Sequence, residues 1–376
     1  MDIGLGISAF TKCMQSNGID GIGVHTQELY QRLKQNTDIT VNPVAFGHYA
    51  TPLPIPNTEI LPRFAPLVAR SILTGQAFPE TRQLEGKIDL FHAPDHYIPK
   101  LDKIPVIATI HDAIPLAHPE WVSFKFRLLM SPAFKRSGRW ATHIITISEY
   151  SRQQIIEYFG IPGEKISVIP NGVDERWFKP TDQSTLATIR AKHDLPENYF
   201  INVGTLQPRK NIERLIEAHQ SLPFHQQKDY PLVLVGRSGW GCKALVSKLE
   251  ALDSQSNIRW LRHVTDDELT ALVKGALALV FPSLSEGFGL PVIEAFASEL
   301  PVIASNTTSL PEVAGDAALL IEPTDTVAIT NAMLKMVNEP GLRNTLKIRG
   351  LKKARHYSWD ATAEQTIAVY KSVLEK

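Results

Sequence analysis

Residues 281–297 read FPSLSEGFGLPVIEAFA. An apolar run ending at Phe281 enters a turn holding Ser283, Ser285 and Glu286. Gly287 and Gly289 follow, flanking Phe288, and then come Leu290 and Pro291, with Glu294 one turn beyond. Proline suits a helix's first turn because an N–H there would have no partner in any case. Glycines just ahead of it let the backbone approach a ligand closely. Unpaired N–H groups and the positive end of the helix dipole attract an anion. Two carboxylates, Glu286 and Glu294, bracket that position with seven residues between them. Carboxylates beside an anion site repel the anion unless they face something else, and hydroxyls are the obvious candidate. The stretch therefore describes a strand–turn–helix unit whose ligand carries phosphates and many hydroxyls, such as a sugar nucleotide.

Outward from this unit, short apolar runs alternate with helical patterns along the whole chain, which predicts an α/β protein with parallel sheets. Strands are expected at 3–7, 39–45, 88–92, 106–110, 144–147 and 166–169. A second series is expected at 199–203, 232–235, 258–261, 277–281, 302–304 and 318–321. Two successive sets, in 376 residues, predict two doubly wound domains. The turn Pro170-Asn171-Gly172-Val173-Asp174 and the stretch Lys179-Pro180-Thr181-Asp182 place the boundary near residue 178, giving domains 1–177 and 178–358. An amphipathic helix from Trp359 to Leu374 follows. Capping boxes are expected at Thr265–Glu268 and Ser309–Glu312, and an N-cap at Ser148.

Composition sets limits. Lys plus Arg and Asp plus Glu each number 39, so bulk charge selects neither nucleic acid nor an acidic partner. Cys13 and Cys242 fit no metal spacing and read as free thiols of a reducing compartment. No basic, apolar leader opens the sequence and no run reaches the ~20 apolar residues of a bilayer span. The expectation is a cytoplasmic protein. Segments 62–78 and 121–140 mix apolar and basic residues (Arg63 and Arg70 in the first; Trp121, Phe124, Phe126, Leu128, Leu129 and Met130 with Lys125, Arg127, Lys135, Arg136 and Arg139 in the second). Core-facing helices with a basic outer face are the preferred reading; contact with a lipid surface or a lipid-linked acceptor is the other.

Further candidates lie in other loops. Residues 17–23, NGIDGIG, sit between the first strand and a helix expected at 24–34. There Gly18, Gly21 and Gly23 offer freedom to present N–H groups. Residues 4–9 match G-x-G-x-x-A but lie within the strand, so that match is set aside. His111-Asp112 follows a strand at its ligand-binding end. It suits orienting a sugar hydroxyl or stabilising positive charge, unless Asp112 caps the next helix. Arg209 and Lys210 precede a helix expected at 212–219 with Asn211 as N-cap. Two cations there oppose the dipole, a conflict that a bound diphosphate removes. No nucleophile elbow, P-loop or metal-ligand cluster is present in the sequence.

Taken in order, TIHDAIPL (109–116), VIPNGVD (168–174), VGTLQPRKNIERLIEA (203–218), EGFGLPVIEA (286–295) and SLPEVAGDAALLIEP (309–323) resemble glycosyltransferase family 4. This is a GT-B family of retaining enzymes that use nucleotide sugars, and within it the chain is most similar to bacterial polysaccharide mannosyltransferases. The resemblance implies two Rossmann-like domains facing across a cleft, the donor in the second and the acceptor in the first. The final helix (359–376) returns to the first domain. No metal and no other cofactor is implied. Arg209 and Lys210 neutralise the diphosphate beside the Gly204 turn, and Glu294 binds the ribose. Glu286 and the Gly287-Phe288-Gly289-Leu290 backbone hold sugar and phosphate. His111 lies near the sugar's reacting face, Gly21 and Gly23 near the diphosphate, and the base near His263 and Val264.

Three places depart from the family pattern: Thr205 stands where an Arg is common, the GIGRY start reads Gly21-Ile22-Gly23-Val24-His25 and so loses a basic side chain, and Glu299 replaces a glycine. If left-handed, Glu299 costs ~1 kcal/mol relative to Gly. The implied reaction moves a hexosyl unit, mannose first, from a nucleotide diphosphate sugar to a glycan or lipid-linked acceptor. In lipopolysaccharide or polysaccharide biosynthesis that would bring peripheral contact with the membrane's inner face. The alternatives are a UDP-glucose or other UDP-hexose transferase, an epimerase or phosphorylase, and a non-catalytic nucleotide-sugar binding protein.

Overall fold

The structure is a computed structural model describing residues 1–15, 19–50, 53–123, 127, 130–252 and 257–375. Asn17, Gly18, Phe124, Lys125, Phe126, Leu128 and Leu129 lie outside the described residues. The chain divides into two compact units. One comprises Met1–Pro119, Phe124–Gly172 and Trp359–Lys376, the other Glu120–Ser123 and Val173–Ser358.

In the first unit seven strands form a parallel sheet: β1 (Asp2–Gly6), β2 (Thr40–Phe46), β3 (Glu59–Leu61), β4 (Leu90–Ala93), β5 (Val106–Thr109), β6 (His143–Thr146) and β7 (Ile166–Val168). Their order is β3-β2-β1-β4-β5-β6-β7. Side chains alternate between faces, so Val106 and Ala108 join one core and Ile107 the other. Three helices matter below: α1 (Gly21–Gln35), α2 (Phe64–Thr74) and α3 (Ser131–Gly138). The 359–374 helix packs Ala363 and Tyr370 into the same core as Ile3, Leu5 and Leu29. Its Tyr370 hydroxyl lies 2.6 Å from His92 Nδ1, and Thr362 Oγ1 donates to the Pro170 carbonyl at 2.7 Å. Of the seven strands, β3 is the one the apolar pattern does not announce. It is a three-residue edge strand whose Ile60 is exposed.

The second unit holds a six-stranded parallel sheet: β8 (Phe200–Val203), β9 (Leu232–Val235), β10 (Ile258–Leu261), β11 (Ala278–Phe281), β12 (Val302–Ser305) and β13 (Leu319–Ile321). The order β10-β9-β8-β11-β12-β13 reverses direction between β8 and β11, the crevice where open α/β sheets bind ligands. Helix α4 (Ile212–Gln220) covers one face through Leu215 and Ile216, and α5 (Asp266–Lys274) starts with the expected capping box. Helix α6 (Leu290–Ala297) buries Val292, Ile293 and Phe296. A Cβ at Gly350 would come within 2.7 Å of the Phe296 ring, so glycine there permits close helix packing.

Several local expectations resolve differently. Ser309 is helical and makes no capping bond. Helix α1 begins at Gly21, not Val24, because Asp20 caps it by accepting from Gly23 N at 2.8 Å. Gly21 and Gly23 thus lie in a helical turn, and the Gly23 N–H is already bonded to a carboxylate. Glu299 is left-handed at φ 54°. Helix α2 does face the core, through Phe64, Leu67 and Val68, but its outer face carries Ala65, Ala69, Ile72 and Leu73 and is apolar rather than basic. Among the described residues no helix is long and apolar enough to cross a membrane.

Candidate active site

The loops after β8 and β11, on either side of the reversal point, are sewn together. β8 leads into Gly204, whose φ of 145° favours glycine. A Cβ at Gly236 would sit 2.2 Å from the Gly204 carbonyl oxygen, so backbone meets backbone there. Pro208–Lys210 make a single helical turn, and Asn211 follows in the left-handed region at φ 61°. Asn211 holds the N-cap position of α4, but its side chain makes no cap. Its amide instead donates to the carbonyls of Pro282 (3.0 Å) and Pro323 (2.7 Å), while Leu284 N donates to Arg209 O at 2.7 Å.

This stitching brings Arg209, Lys210 and Glu286 together. Arg209 Nη1 lies 2.7 Å from Glu286 Oε2 and Lys210 Nζ 2.6 Å from Oε1. Arg209 also donates to the Ser285 carbonyl (3.0 Å), and Lys210 Nζ sits 4.7 Å from the centre of the Phe281 ring. Burial alone would raise the Glu286 carboxyl. Arg209 and Lys210 overcome it and hold the group at about 2. Two cations and one anion, Lys210 and Glu286 buried and Arg209 partly exposed, give the trio a net positive charge, which invites a further anion. Ser285 Oγ, also buried, has no hydrogen-bond partner among the described residues.

The turn into α6 is braced by Ser309. Its Oγ donates toward the carbonyls of Glu286 (2.9 Å) and Phe288 (3.1 Å). Gly289 occupies the N-cap at φ 106° and brings no capping side chain, and Pro291 lies in the first turn. A Cβ on Gly289 would meet Leu310 Cδ2 at 2.7 Å. Phe288 packs edge-on against Tyr357. Glu294, one turn into α6, has a different environment. Burial raises its carboxyl to about 7; Arg176 opposes the rise, while Asp174 and Asp266 add to it. Arg176 itself donates to Asp266 at 2.8 Å. The two carboxylates of the motif are thus driven apart, Glu286 fully ionised and Glu294 near half-protonated at neutral pH. Arg176, Asp174 and Asp266 are site neighbours that sequence reasoning missed. Residues 170–174 read from sequence as a turn and as part of the family resemblance, and nothing in them or in Glu175-Arg176-Trp177 announces a partner more than a hundred residues away. His263 and Val264 lie on the loop after β10, whose strand stands two places from β8.

His111 belongs to the first unit, directly beyond β5. Its Nε2 lies 3.0 Å from the Pro94 carbonyl, and Asp112 accepts from Ile114 N at 3.0 Å; the N-cap of the short helix that follows is Ala113, not Asp112. Burial lowers the His111 pKa, partly offset by the Pro94 bond and by Asp112, Asp20 and Asp95. The ring is therefore neutral at pH 7; its Nε2–H donates to the Pro94 carbonyl, which leaves Nδ1 as a hydrogen-bond acceptor. His25 stands edge-on to it at 4.8 Å between centroids and meets Asn171 Oδ1 at 2.9 Å. A cavity of about 790 Å³ reaches His111 and Asp112 from between α2 and α3.

Family models match both halves of the chain. Residues 19–177 fit "Glycosyltransferase Family 4" and residues 187–353 "Glycosyl transferases group 1". The O-antigen chain mannosyltransferase B of Escherichia coli is 34% identical over 75% of this chain and 74% of its own length. The chain belongs to the family 4 glycosyltransferases. The serotype-specific mannosyltransferase WbdA of E. coli is 32% identical over 73% of this chain, a match that spans 34% of WbdA. A solved structure of Anabaena HepE in complex with UDP-glucose superposes with a TM-score of 0.75 at 18% identity, covering 99% of this chain and 100% of that one. The two parallel-sheet units of this glycosyltransferase are those of the GT-B class.

Proposed function

We propose that this glycosyltransferase moves a hexosyl unit, mannose first, from a nucleoside diphosphate sugar to a glycan or lipid-linked acceptor with retention of configuration. The observation that carries the reading is the net-positive Arg209–Lys210–Glu286 trio at the reversal point of the second sheet. The mannosyltransferase relatives favour mannose; the UDP-glucose bound in the HepE structure makes a UDP-hexose the second choice.

The diphosphate is assigned to Arg209, Lys210 and the uncapped start of α6. Glu286, held ionised, accepts hydrogen bonds from the sugar's hydroxyls. Glu294, poised near neutrality, both accepts from and donates to ribose hydroxyls. In the reaction the bond between the anomeric carbon and the phosphate oxygen breaks as the acceptor oxygen bonds to that carbon on the same face. The acceptor's proton passes to the departing phosphate oxygen. Arg209 and Lys210 stabilise the charge that grows on the diphosphate, an electrostatic contribution fixed before the reaction starts. His111 in the first unit is assigned to orienting a hydroxyl. No step is routed through a metal.

The test is a thermal-shift comparison of GDP-mannose and UDP-glucose, followed by proton NMR of the anomeric product. A ligand at a hundred times its dissociation constant adds ~2.7 kcal/mol. Stabilisation by neither donor, or an inverted product, would sink the proposal.

A further inference from the structure

β12 ends at Ser305, and residues 306–309, Asn-Thr-Thr-Ser, lead to a short helix at Leu310–Ala314. Thr308 lies in the left-handed region at φ 59°. The other left-handed residues with side chains, among the described ones, are Asn57, Asp194, Asn211 and Glu299. Asn and Asp tolerate that region, whereas a β-branched side chain there is an outlier. Glycine would take the same backbone without strain. Threonine brings one thing that glycine cannot: its Oγ1 accepts from Glu286 N at 3.2 Å, across 22 positions of sequence.

Glu286 is buried, so its N–H needs a partner within the protein. Thr308 supplies one, and Ser309 beside it donates to the Glu286 carbonyl at 2.9 Å. Two adjacent hydroxyls of one loop thus hold both backbone groups of the residue whose carboxylate meets Arg209 and Lys210. Next to them in sequence, Ser285 Oγ and Thr307 Oγ1 are buried with no hydrogen-bond partner among the described residues. Strain and unpartnered buried hydroxyls both cost stability, and where they gather they mark a functional site.

We propose that Thr308 is a positioning residue of the donor site: its hydroxyl fixes the Glu286 backbone, and through it the carboxylate that meets the donor's sugar. The inference rests on the proposed assignment of Glu286 to the sugar. Without the Oγ1 acceptor the buried N–H favours other arrangements of the turn by about tenfold. A ligand that needs the native arrangement then binds more weakly by the fraction lost. The nucleoside diphosphate alone is spared. It is assigned to Arg209, Lys210 and the start of α6, and that start keeps its own brace from Ser309 to the Phe288 carbonyl.

Three variants of the full chain separate hydroxyl from strain. Thr308→Val keeps the branch and removes the acceptor, Thr308→Gly removes both acceptor and strain, and Thr308→Ser keeps the acceptor. Each is titrated calorimetrically with GDP-mannose and GDP, and with UDP-glucose and UDP. For the donor that binds, the valine and glycine variants should lose about tenfold in affinity for the sugar nucleotide and less than about threefold for its diphosphate. Serine should regain most of the loss. In thermal melts Thr308→Gly should stand above Thr308→Val, because it relieves the strain. Stability and donor binding then part company, which a purely structural role does not allow. Without ligand, hydrogen exchange at residues 284–290 should quicken about tenfold in the valine and glycine variants and stay near wild type in serine.

Unchanged exchange in Thr308→Val, or donor binding that recovers in Thr308→Gly, overturns the proposal. So does a Thr308→Val that shifts sugar nucleotide and diphosphate alike where Glu286→Gln separates them. If Glu286→Gln also shifts both alike, while exchange in Thr308→Val quickens as expected, the fault lies in the assignment of Glu286 to the sugar and not in the hold of Thr308 on the turn.

Discussion

Replacing Glu286 with glutamine separates charge from shape at the centre of the site. In the folded protein the carboxyl is held at about 2, against an ordinary 4.5. At ~1.36 kcal/mol per pH unit, that gap is worth about 3 kcal/mol, the lower end of the ~3–5 kcal/mol for breaking a buried pair from one side. The folded value lies below the unfolded one. The contribution is therefore complete above pH 4.5 and is lost as pH falls toward 2. For a unit of this size ~1 kcal/mol moves Tm by ~2–4 °C, so Glu286→Gln should melt about 6–12 °C below wild type at pH 7. The difference should close as pH drops below 4.5. Because the variant leaves two cations beside a neutral amide, GDP should bind it severalfold more tightly and restore most of the lost stability, while transfer falls. The assays are differential scanning calorimetry from pH 7 to pH 3 and GDP titration. A Tm within 1 °C of wild type at pH 7, or a gap independent of pH, would refute the electrostatic account.

Arg209→Ala with Lys210→Ala should lower kcat by ~10²–10³ or more, the cost of removing a donor from a charge-stabilising site; near-normal turnover by a double variant with native circular dichroism ends that assignment. Glu294 is raised to about 7, so its folded form binds a proton that the unfolded chain has released, and the stability this gives is lost as pH rises from 4.5 through 7. Glu294→Gln should accordingly match wild type at pH 5, melt higher at pH 8 and bind the donor more weakly, all readable by paired thermal melts and calorimetry. Asn211→Gly keeps the left-handed backbone but unpairs two buried carbonyls, at ~1–3 kcal/mol each; a urea midpoint equal to wild type would show that those bonds carry no stability.

Legibility from sequence tracks how local each feature is. Buried parallel strands are continuous apolar runs, so LVLV at 232–235 and ALVF at 278–281 announce themselves. β3 does not, because three residues on a sheet edge need no such run. The helix start after Gly289 was legible because glycine, proline and carboxylate sit within one turn. Arg209 and Lys210 were legible as cations in search of an anion, but their partner was not. From sequence Glu286 reads as facing hydroxyls; the countercharge its buried carboxylate also needs comes from Arg209 and Lys210, 77 and 76 positions away. Ser309 fits the capping-box spacing, yet the Glu286 and Phe288 carbonyls compete for its hydroxyl and win. The NGIDGIG run suggested an open loop; Asp20 turned its end into a capped helix.

The 359–374 helix completes the core of a unit whose other residues were made before the second unit began. On the ribosome, the strands and helices of residues 1–172 emerge with Ile3, Leu5 and Leu29 still lacking the cover of Ala363 and Tyr370, and His92 Nδ1 still lacking the Tyr370 hydroxyl. The second unit, nearly contiguous at Val173–Ser358, has its core complete first. Domains of multidomain chains usually finish from the N-terminus; here the order of completion is reversed. A fragment ending at residue 172 would carry an uncovered apolar face, so the first unit can be isolated intact only as a permuted chain in which residues 359–376 are rejoined to residues 1–172.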